Sequence, residues 1–438
     1  MSAKEHPTRP LQCWAKAKEM ILDHFKEVGI GIEDGTKRFA TGCIESAQFL
    51  IAGLGDDFLY LGGEPYGGTI GADLAFSEKC MEAAERQGFS RDLCGYMRNY
   101  WGSMFLNHYF FTGGPFPKPE FTFTMHVCDA GHAKWYQVVA EHFGIPQIVV
   151  DAPLGQPGMG REQKVEWIVG QMNDAIEQME KATGRKYDDE RMVEAAQCQF
   201  ESSSLWAEIC LLNRAIPATV GLKTLLSLLP AFLHFKARRE GVEILKEIRA
   251  EFQERIAEGI AAIPNERLRL MSDLTPPWHF VKLYRSFEDQ GVVFVGIHIY
   301  TNFGSADYHP DGTVTPSKTP EELGYPLKTR EDVLRAYAGA HLKAGMGRRL
   351  PIGWSAKEKA EMMISLYHHW QCDGVLMHLN RGCALSTFGS AETKNLIAGA
   401  GISVGVYEGN FADFRDLDEA ATVDTINTFI KILLAKKS

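Results

Sequence analysis

The segment FTFTMHVCDAGHAKWYQVVAEHFGIPQIVV, residues 121–150, has the pattern of a parallel α/β protein. Its start is rich in aromatic and β-favouring side chains, which predicts a strand ending at Val127. Apolar residues then recur at helical spacing before Gly144, a residue type favoured just after a helix. The residues of that apolar face are Trp135, Val138, Val139 and Phe143. Because an apolar run, IVV, follows, the order predicts two parallel strands joined by a crossover helix.

The same alternation returns in the last third of the chain. DGVLMHL (373–379) and ISVGVYEG (402–409) predict strands separated by a loop and a helix. GVVFVGIHIY (291–300) predicts a fully buried strand. A terminal helix is predicted from the apolar face of Ile426, Phe429, Ile430 and Leu433. The last region therefore repeats the plan of the first.

The middle of the chain has helical periodicity instead. Residues 161–184 predict a helix, with an apolar stripe of Trp167, Ile168, Met172, Ile176 and Met179. The apolar stretch after it contains Pro217 and Pro230 and predicts a buried, broken helix. The predicted fold class is α/β, with two parallel-sheet halves and an inserted helical domain. The predicted boundaries are an N-terminal helical arm at 1–29, a first α/β domain at 30–158, the helical domain at 159–265 and a second α/β domain at 266–438.

Composition and charge exclude several classes of protein. The 438 residues are 45% hydrophobic, which excludes a disordered chain. The 46 Lys and Arg residues are outnumbered by 56 Asp and Glu residues, so no basic surface for a nucleic-acid partner is expected. No segment has the length and apolarity of a membrane span. The start, MSAKEHPTRP, lacks the order of a secretory signal, so a cytoplasmic location is expected.

The nine cysteines form no CxxC pair. In a reducing compartment an odd number of cysteines does not indicate a disulfide framework. The missing CxxC argues against a zinc ribbon, a thioredoxin-like dithiol and a ferredoxin cluster held by one tight loop. A metal site in this chain would therefore have to be assembled from distant segments.

Cys128 and Cys383 occupy equivalent places in the predicted α/β units. Each follows a predicted strand and precedes a predicted helix. Ligands bind at this carboxyl edge of parallel sheets, where helix N-termini also favour a thiolate. Cys94, in SRDLCGYMRNYWG, is the third candidate, because Arg91 and Arg98 beside it can favour a thiolate. The other cysteines are predicted to be core residues: Cys13, Cys43, Cys80, Cys198, Cys210 and Cys372.

Three thiolates suit an iron–sulfur cubane with one iron left open. A zinc site would instead need a fourth protein ligand for a structural role, or His and carboxylate partners for a catalytic one.

Four motifs together resemble the family of benzoyl-CoA reductases and 2-hydroxyacyl-CoA dehydratases, most closely its ATP-dependent benzoyl-CoA reductases. The motifs are LCGYMRN around Cys94, VCDAGHAKWY around Cys128, HLNRGCALST around Cys383 and the closing VYEGNFADFRD. The closing motif has Asn410 where many relatives have Asp, and it retains Arg415. The first strand of the N-terminal half is also less obvious than in the dehydratases.

The resemblance implies two flavodoxin-like halves and a 4Fe–4S cluster, single or part of a double cubane, held by Cys94, Cys128 and Cys383. It also implies a paralogous cluster-binding subunit and separate ATPase subunits that inject electrons, with ferredoxin as the indirect donor. The implied reaction is reduction of the ring of benzoyl-CoA, or a related acyl-CoA, to a cyclohexadiene-carbonyl-CoA in anaerobic aromatic degradation. The alternatives are a 2-hydroxyacyl-CoA dehydratase subunit, a non-catalytic electron-relay subunit, and a flavodoxin-like binding protein without iron.

Ring reduction also needs a proton donor within hydrogen-bond reach of the substrate. His126, His132 and His378 flank the cysteine loops and are the candidates. The aromatic run NYWGSMFLNHYFF (99–111) suits either an apolar pocket wall or a buried helix. LGGEPYGGTIG (61–71) is expected to be a turn-rich loop.

Overall fold

Two four-stranded parallel sheets form the framework of the protein, which confirms the predicted α/β class. The computed structural model describes residues 5–44, 46–125, 129–153, 158–343, 356–383 and 387–437. Cys128 and His126 lie outside these described residues.

The first sheet contains the strands β1 (Arg38–Gly42), β2 (Phe58–Gly62), β3 (Thr122–Met125) and β4 (Gln147–Val150). Its order is β2-β1-β3-β4, and every pairing is parallel. The helices of this half are α1 (Trp14–Glu33), α2 (Phe49–Ala52), α3 (Gly63–Ala72), α4 (Leu74–Arg86), α5 (Gly95–Phe105) and α6 (Asp129–Phe143). The strand, helix and strand predicted from residues 121–150 are present as β3, α6 and β4.

The second sheet contains the strands β5 (Leu268–Ser272), β6 (Val292–Ile297), β9 (Gly374–Asn380) and β10 (Val404–Gly409). Its order is β10-β9-β5-β6, again parallel throughout. Numbered within each half, both sheets have the order 2-1-3-4, the beginning of the flavodoxin-like order. The strands β3 and β9 are therefore equivalent, and so are β1 and β5.

Helices and a small hairpin complete the described part of the chain. Between the sheets in sequence lie α7 (Arg161–Thr183), α8 (Asp189–Leu212), α9 (Leu222–Phe235) and α10 (Arg239–Glu258). The second half adds α11 (His298–Phe303), α12 (Arg330–Lys343), α13 (Ala356–His369), α14 (Ser390–Gly399), α15 (Glu419–Lys437) and the antiparallel pair β7 (Ala306–Tyr308) and β8 (Val314–Pro316). Short 3-10 helices cover Trp278–Arg285, Glu288–Gln290, Glu321–Leu323 and Phe414–Asp416.

Helix α9 packs on both β6 and α1, so it joins the cores of the two halves. The predicted apolar face of the terminal helix α15 is buried as expected. Among the described residues, no helix combines the length and apolarity that a bilayer crossing requires.

Two predictions of local structure are wrong. The segment LGGEPYGGTIG is not a turn-rich loop: it joins the end of β2 to helix α3. Its glycines permit close packing, because a Cβ at Gly67 would lie 2.4 Å from the carbonyl oxygen of Tyr96. The run GVVFVGIHIY is a strand only as far as Ile297, and α11 begins at His298.

Two details of the helical region also differ from prediction. Trp167 is 52% exposed, whereas the rest of its predicted stripe is buried. Helix α9 continues through Pro230 rather than breaking there. The free energy gained by burying the apolar side chains of α9 against α1, α10 and β6 exceeds the cost of the one helical hydrogen bond that Pro230 removes.

Candidate functional site

A cavity of about 350 Å³ is lined by residues from both halves and from helix α9. Cys94 and Cys383 both lie on its wall. Much of the remaining surface is aromatic: Phe25, Tyr96, Trp278, Tyr300, Phe303 and Phe411. Two cysteines far apart in sequence therefore face one apolar space.

Local structure explains how the two cysteines reach this cavity. Cys94 is the residue just before α5, and Cys383 follows β9 at the carboxyl edge of the second sheet. Burial raises the pKa of Cys94 to about 12, and the nearby Cys383 thiol contributes in the same direction. A thiol of this kind stays protonated near neutral pH, and a bound cation that replaces the proton stabilises its thiolate.

Arg91 and Arg98, predicted to favour a thiolate at Cys94 or a negatively charged cluster, are each paired with a carboxylate of the closing motif. Arg98 is completely buried and binds Asp413, with 2.9 Å between Nη2 and Oδ2. Arg91 pairs with Asp416 at 3.1 Å. Arg415 also binds Asp413, so the closing motif holds helix α5 from the other half of the chain.

Lys359 is a buried cation close enough to Cys383 for the thiol to affect its pKa. This side chain is 3% exposed, and its Nζ lies 3.6 Å from Oδ2 of the completely buried Asp273. Burial lowers the pKa of Lys359, while Asp273 and the Cys383 thiol act to raise it. Sequence reasoning missed this pair, although Asp273 directly follows β5 and so lies at the carboxyl edge.

The third predicted cluster cysteine lies in the undescribed segment between β3 and α6. β3 ends at Met125 and α6 begins at Asp129, so Cys128 and His126 are bracketed by these elements. His132, in the first part of α6, lines the cavity together with Cys94 and Cys383.

His132 is accompanied by two residues that sequence reasoning did not assign to a site. Its Nε2 lies 2.8 Å from Oε1 of Glu64, in the first turn of α3. A ligand atom of each of Cys43, Glu64 and His132 lies within 4.8 Å of the other two. The backbone N–H of Ile44 donates to Oε2 of Glu64 at 2.9 Å. Cys43 is buried, as predicted, but it directly follows β1 at the carboxyl edge.

His378 occupies a different environment from His132. It lies on β9, completely buried, and its Nδ1 is 2.9 Å from the carbonyl oxygen of Thr275. Burial lowers its pKa to about 4, so the ring is neutral at neutral pH and its Nδ1–H donates to Thr275. Thr275 lies on the cavity wall, and the ring of His378 stacks on Tyr407 behind it.

The aromatic run 99–111 belongs to a buried helix and the turns after it. Tyr100 and Trp101 on α5 are buried in the core shared with Trp135. The aromatic residues of the cavity come from other segments, with only Tyr96 contributed by α5. Of the two alternatives left open by the sequence, the structure supports the buried helix.

A family model and several known proteins match most of this chain, and all of them are named as subunits or components of enzymes acting on acyl-CoA thioesters. Residues 57–433 match the protein family described as 2-hydroxyglutaryl-CoA dehydratase, D-component. The chain is 24% identical over 364 residues to the (R)-phenyllactyl-CoA dehydratase alpha subunit of Clostridium sporogenes, covering 81% of this chain and 80% of the relative.

Two further relatives have different names. The alpha subunit of the (R)-2-hydroxyglutaryl-CoA dehydratase of Acidaminococcus fermentans is 23% identical over 69% of this chain and 58% of its own length. A benzoyl-CoA reductase subunit of Thauera aromatica is 21% identical over 81% of this chain and 80% of its own length. The resemblance noted from the four motifs is thereby confirmed at the level of the family.

Proposed function

The chain belongs to the family of the D-component of 2-hydroxyglutaryl-CoA dehydratase, and on that premise we propose that it is the iron–sulfur subunit of an enzyme acting on an aryl acyl-CoA thioester. The finer proposal is reduction of the benzoyl-CoA ring to a cyclohexadiene-carbonyl-CoA. The observation that carries both is the shared cavity of Cys94 and Cys383, with His132 on the same wall.

Cys94, Cys128 and Cys383 are the residues that would hold a 4Fe–4S cluster. The donor set fits, because the buried Cys94 thiol needs a cation to become a thiolate and Cys383 faces the same space. In the sequence, Cys128 follows β3, and β3 is equivalent to β9, the strand that precedes Cys383; this equivalence supports Cys128 as the third ligand. When bound, such a cluster supplies single electrons at low potential.

The cavity supports an aryl group as the reacting part of the substrate. A volume of about 350 Å³ exceeds the roughly 150 Å³ that accommodates benzene in an engineered protein cavity. It therefore has room for a benzoyl ring and its thioester carbonyl, but not for the whole coenzyme. Trp278, Tyr300 and Phe411 would exclude water from the ring and offer it flat and edge contacts.

Reduction of the ring by two electrons also consumes two protons. His132 is our proposed proton donor, because its side chain borders the cavity and lies beside the Glu64 carboxyl group. We assign the neutral His378 to positioning: its hydrogen bond with Thr275 fixes one part of the cavity wall. His126 remains a prediction.

The second candidate is dehydration of an aryl 2-hydroxyacyl-CoA without net redox change. The name and the identity of the phenyllactyl-CoA dehydratase relative favour it, and the same aromatic wall would accept a phenyl group. A paralogous subunit and ATPase subunits that draw electrons from ferredoxin belong to both proposals.

The cluster assignment is tested by iron and acid-labile sulfide in anaerobically purified protein. We expect Cys94→Ala, Cys128→Ala and Cys383→Ala each to lose most of both elements. Cys198→Ala and Cys372→Ala are the matched controls, since these buried cysteines line core helices and turns away from the cavity. Iron retained by all three variants, Cys94→Ala, Cys128→Ala and Cys383→Ala, would contradict the assignment.

The reaction is tested with the reconstituted complex. With benzoyl-CoA, we expect formation of the diene thioester in proportion to the ATP hydrolysed, because every turnover consumes electrons. With (R)-phenyllactyl-CoA, dehydration after only catalytic activation by ATP would favour the second candidate. A complex that holds iron but converts neither thioester would identify the chain as an electron relay.

A further inference from the structure

Three neighbouring strands of the first sheet each deliver one potential metal ligand to the same point. Cys43 directly follows β1, Glu64 lies in the helix after β2, and His132 lies in the helix after β3. The strands are adjacent in the order β2-β1-β3 and parallel. Their carboxyl ends therefore bring the three side chains together although 89 residues separate the first from the last.

We propose that Cys43, Glu64 and His132 bind one zinc ion beside the cavity. The Cys43 sulfur, a Glu64 oxygen and a His132 nitrogen lie within 4.8 Å of one another. Bond lengths of about 2.0–2.3 Å place the ligand atoms of tetrahedral zinc roughly 3.3–3.8 Å apart. A contraction of about 1 Å would close the site around the ion, and Glu64 and His132 are already 2.8 Å apart.

The surroundings of the three side chains provide a second, independent observation. Tyr136, one helical turn after His132, is completely buried, and its hydroxyl group has no hydrogen-bond partner among the described residues. That hydroxyl lies beside Gly63, the residue before Glu64, because a Cβ built at Gly63 would be 2.3 Å from it. A buried, unsatisfied hydroxyl is costly unless it binds something, and a water or anion on the metal would be within its reach.

Glu64 is also held in place as a ligand would be. The backbone N–H of Ile44 donates to Oε2 at 2.9 Å, which leaves Oε1 directed to His132. Supporting hydrogen bonds of this kind orient metal-binding carboxylates. One sulfur, one nitrogen and one carboxylate oxygen form a mixed donor set that zinc accepts, with the fourth position left for a small ligand.

The zinc site is separate from the proposed cluster ligands and does not depend on the identity of the acyl group. It shares two residues with the proposed function, His132 and the Glu64 carboxyl group beside it. With zinc bound, the imidazole of His132 would be occupied as a ligand, and the proton for the substrate would come from a water in the fourth position. Without zinc, His132 keeps the role of proton donor.

The test uses the full-length chain, purified anaerobically and dialysed against micromolar zinc chloride. Zinc and iron are counted separately by mass spectrometry, and the zinc environment is measured by X-ray absorption at the zinc edge. We expect about one zinc per chain, with one sulfur at about 2.3 Å and the other ligands at about 2.0–2.2 Å. Cys43→Ala, Glu64→Gln and His132→Gln should each lower retained zinc about tenfold or more.

Matched controls separate this site from folding defects and from the cluster. His142→Gln, exposed on the same helix, and Cys80→Ala, buried in the core, should keep the zinc. Cys94→Ala should lose iron and keep zinc, so failure of the cluster assignment is distinguishable from failure of this one. Circular dichroism identifies any variant that does not fold, and His132→Gln, at a partly exposed position, tests the site even if the buried Cys43 tolerates no change. Zinc that is absent from the wild type, or that follows Cys94 rather than Cys43, overturns the proposal.

Discussion

The buried ion pair between Arg98 and Asp413 allows the sharpest stability prediction. Both side chains are completely buried, and Asp413 accepts hydrogen bonds from Arg98 and from Arg415. Burial opposes the charge of Asp413, but the hydrogen bond from Arg415 and the charges of both arginines outweigh it and lower its pKa to about 2. The fall from 3.8 corresponds to about 2.5 kcal/mol in favour of the folded state at neutral pH.

We therefore expect Asp413→Asn to lower the free energy of unfolding by about 3–5 kcal/mol. The substitution keeps the shape of the side chain but replaces the nearer carboxylate partner of the buried Arg98, at 2.9 Å, by a neutral group and leaves it the Glu85 carboxylate at 3.4 Å. Urea unfolding followed by circular dichroism measures the change, and Asp424→Asn, exposed on α15, is the control with an expected effect below about 0.5 kcal/mol.

The pH dependence gives an independent check of the same pair. Because the pKa of Asp413 is lower in the folded state, its contribution is complete above about pH 4 and is lost as the pH falls through about 2. The difference between wild type and Asp413→Asn should shrink across that window. A cost below about 1 kcal/mol at pH 7, or a difference that does not change with pH, would refute the reasoning.

Further predictions concern close packing and buried histidines. Gly102→Ala should destabilise the protein by about 3 kcal/mol, because its Cβ would lie 2.1 Å from the carbonyl oxygen of Cys80. Gly170→Ala, with open space around it, should instead stabilise by about 0.5–1 kcal/mol in the same urea assay, and equal effects of the two changes would contradict the packing argument. Burial, with nearby positive charges, lowers the pKa of His234 to about 3. Burial also lowers the pKa of the neighbouring His24. The stability contributed by the neutral His234 ring should therefore be complete above about pH 6.5 and fall by up to about 1.4 kcal/mol per pH unit toward pH 3, and protonation of His24 should add to the loss. His234→Phe should flatten that slope in urea titrations between pH 7 and 5, and an unchanged slope would show that His234 does not cause it.

The architecture was largely predictable because its signals are local. The apolar runs of β9 and β10 and the periodicity of α6 and α15 depend on neighbouring residues, and each appears where the pattern placed it. The common cavity of Cys94 and Cys383 follows from the same logic, since loops after parallel strands meet at one edge.

The residues that were missed depend on elements with weak local signals. The strand β1, RFATG, has little β-type pattern, so Cys43 after it was predicted to be a core residue only. Glu64 lies in a glycine-rich segment, which is typical of a turn rather than a helix. The structure shows a helix there, and the glycines are needed because Tyr96 packs closely against it. The partners of Arg98 were unpredictable in another way: Asp413 is 315 residues away, and charge in a sequence does not reveal which carboxylate will neutralise it.

That long separation between Arg98 and Asp413 sets the order of events during biosynthesis. A ribosome makes Arg98 and the whole first sheet early, whereas Asp413 emerges 315 residues later. Until then Arg98 on helix α5 has Glu85 of the first lobe as a partner but lacks the Asp413 carboxylate, and Cys383 is still missing. Any inorganic centre held by both Cys94 and Cys383 can therefore be completed only after the ribosome has made the second lobe as far as Cys383.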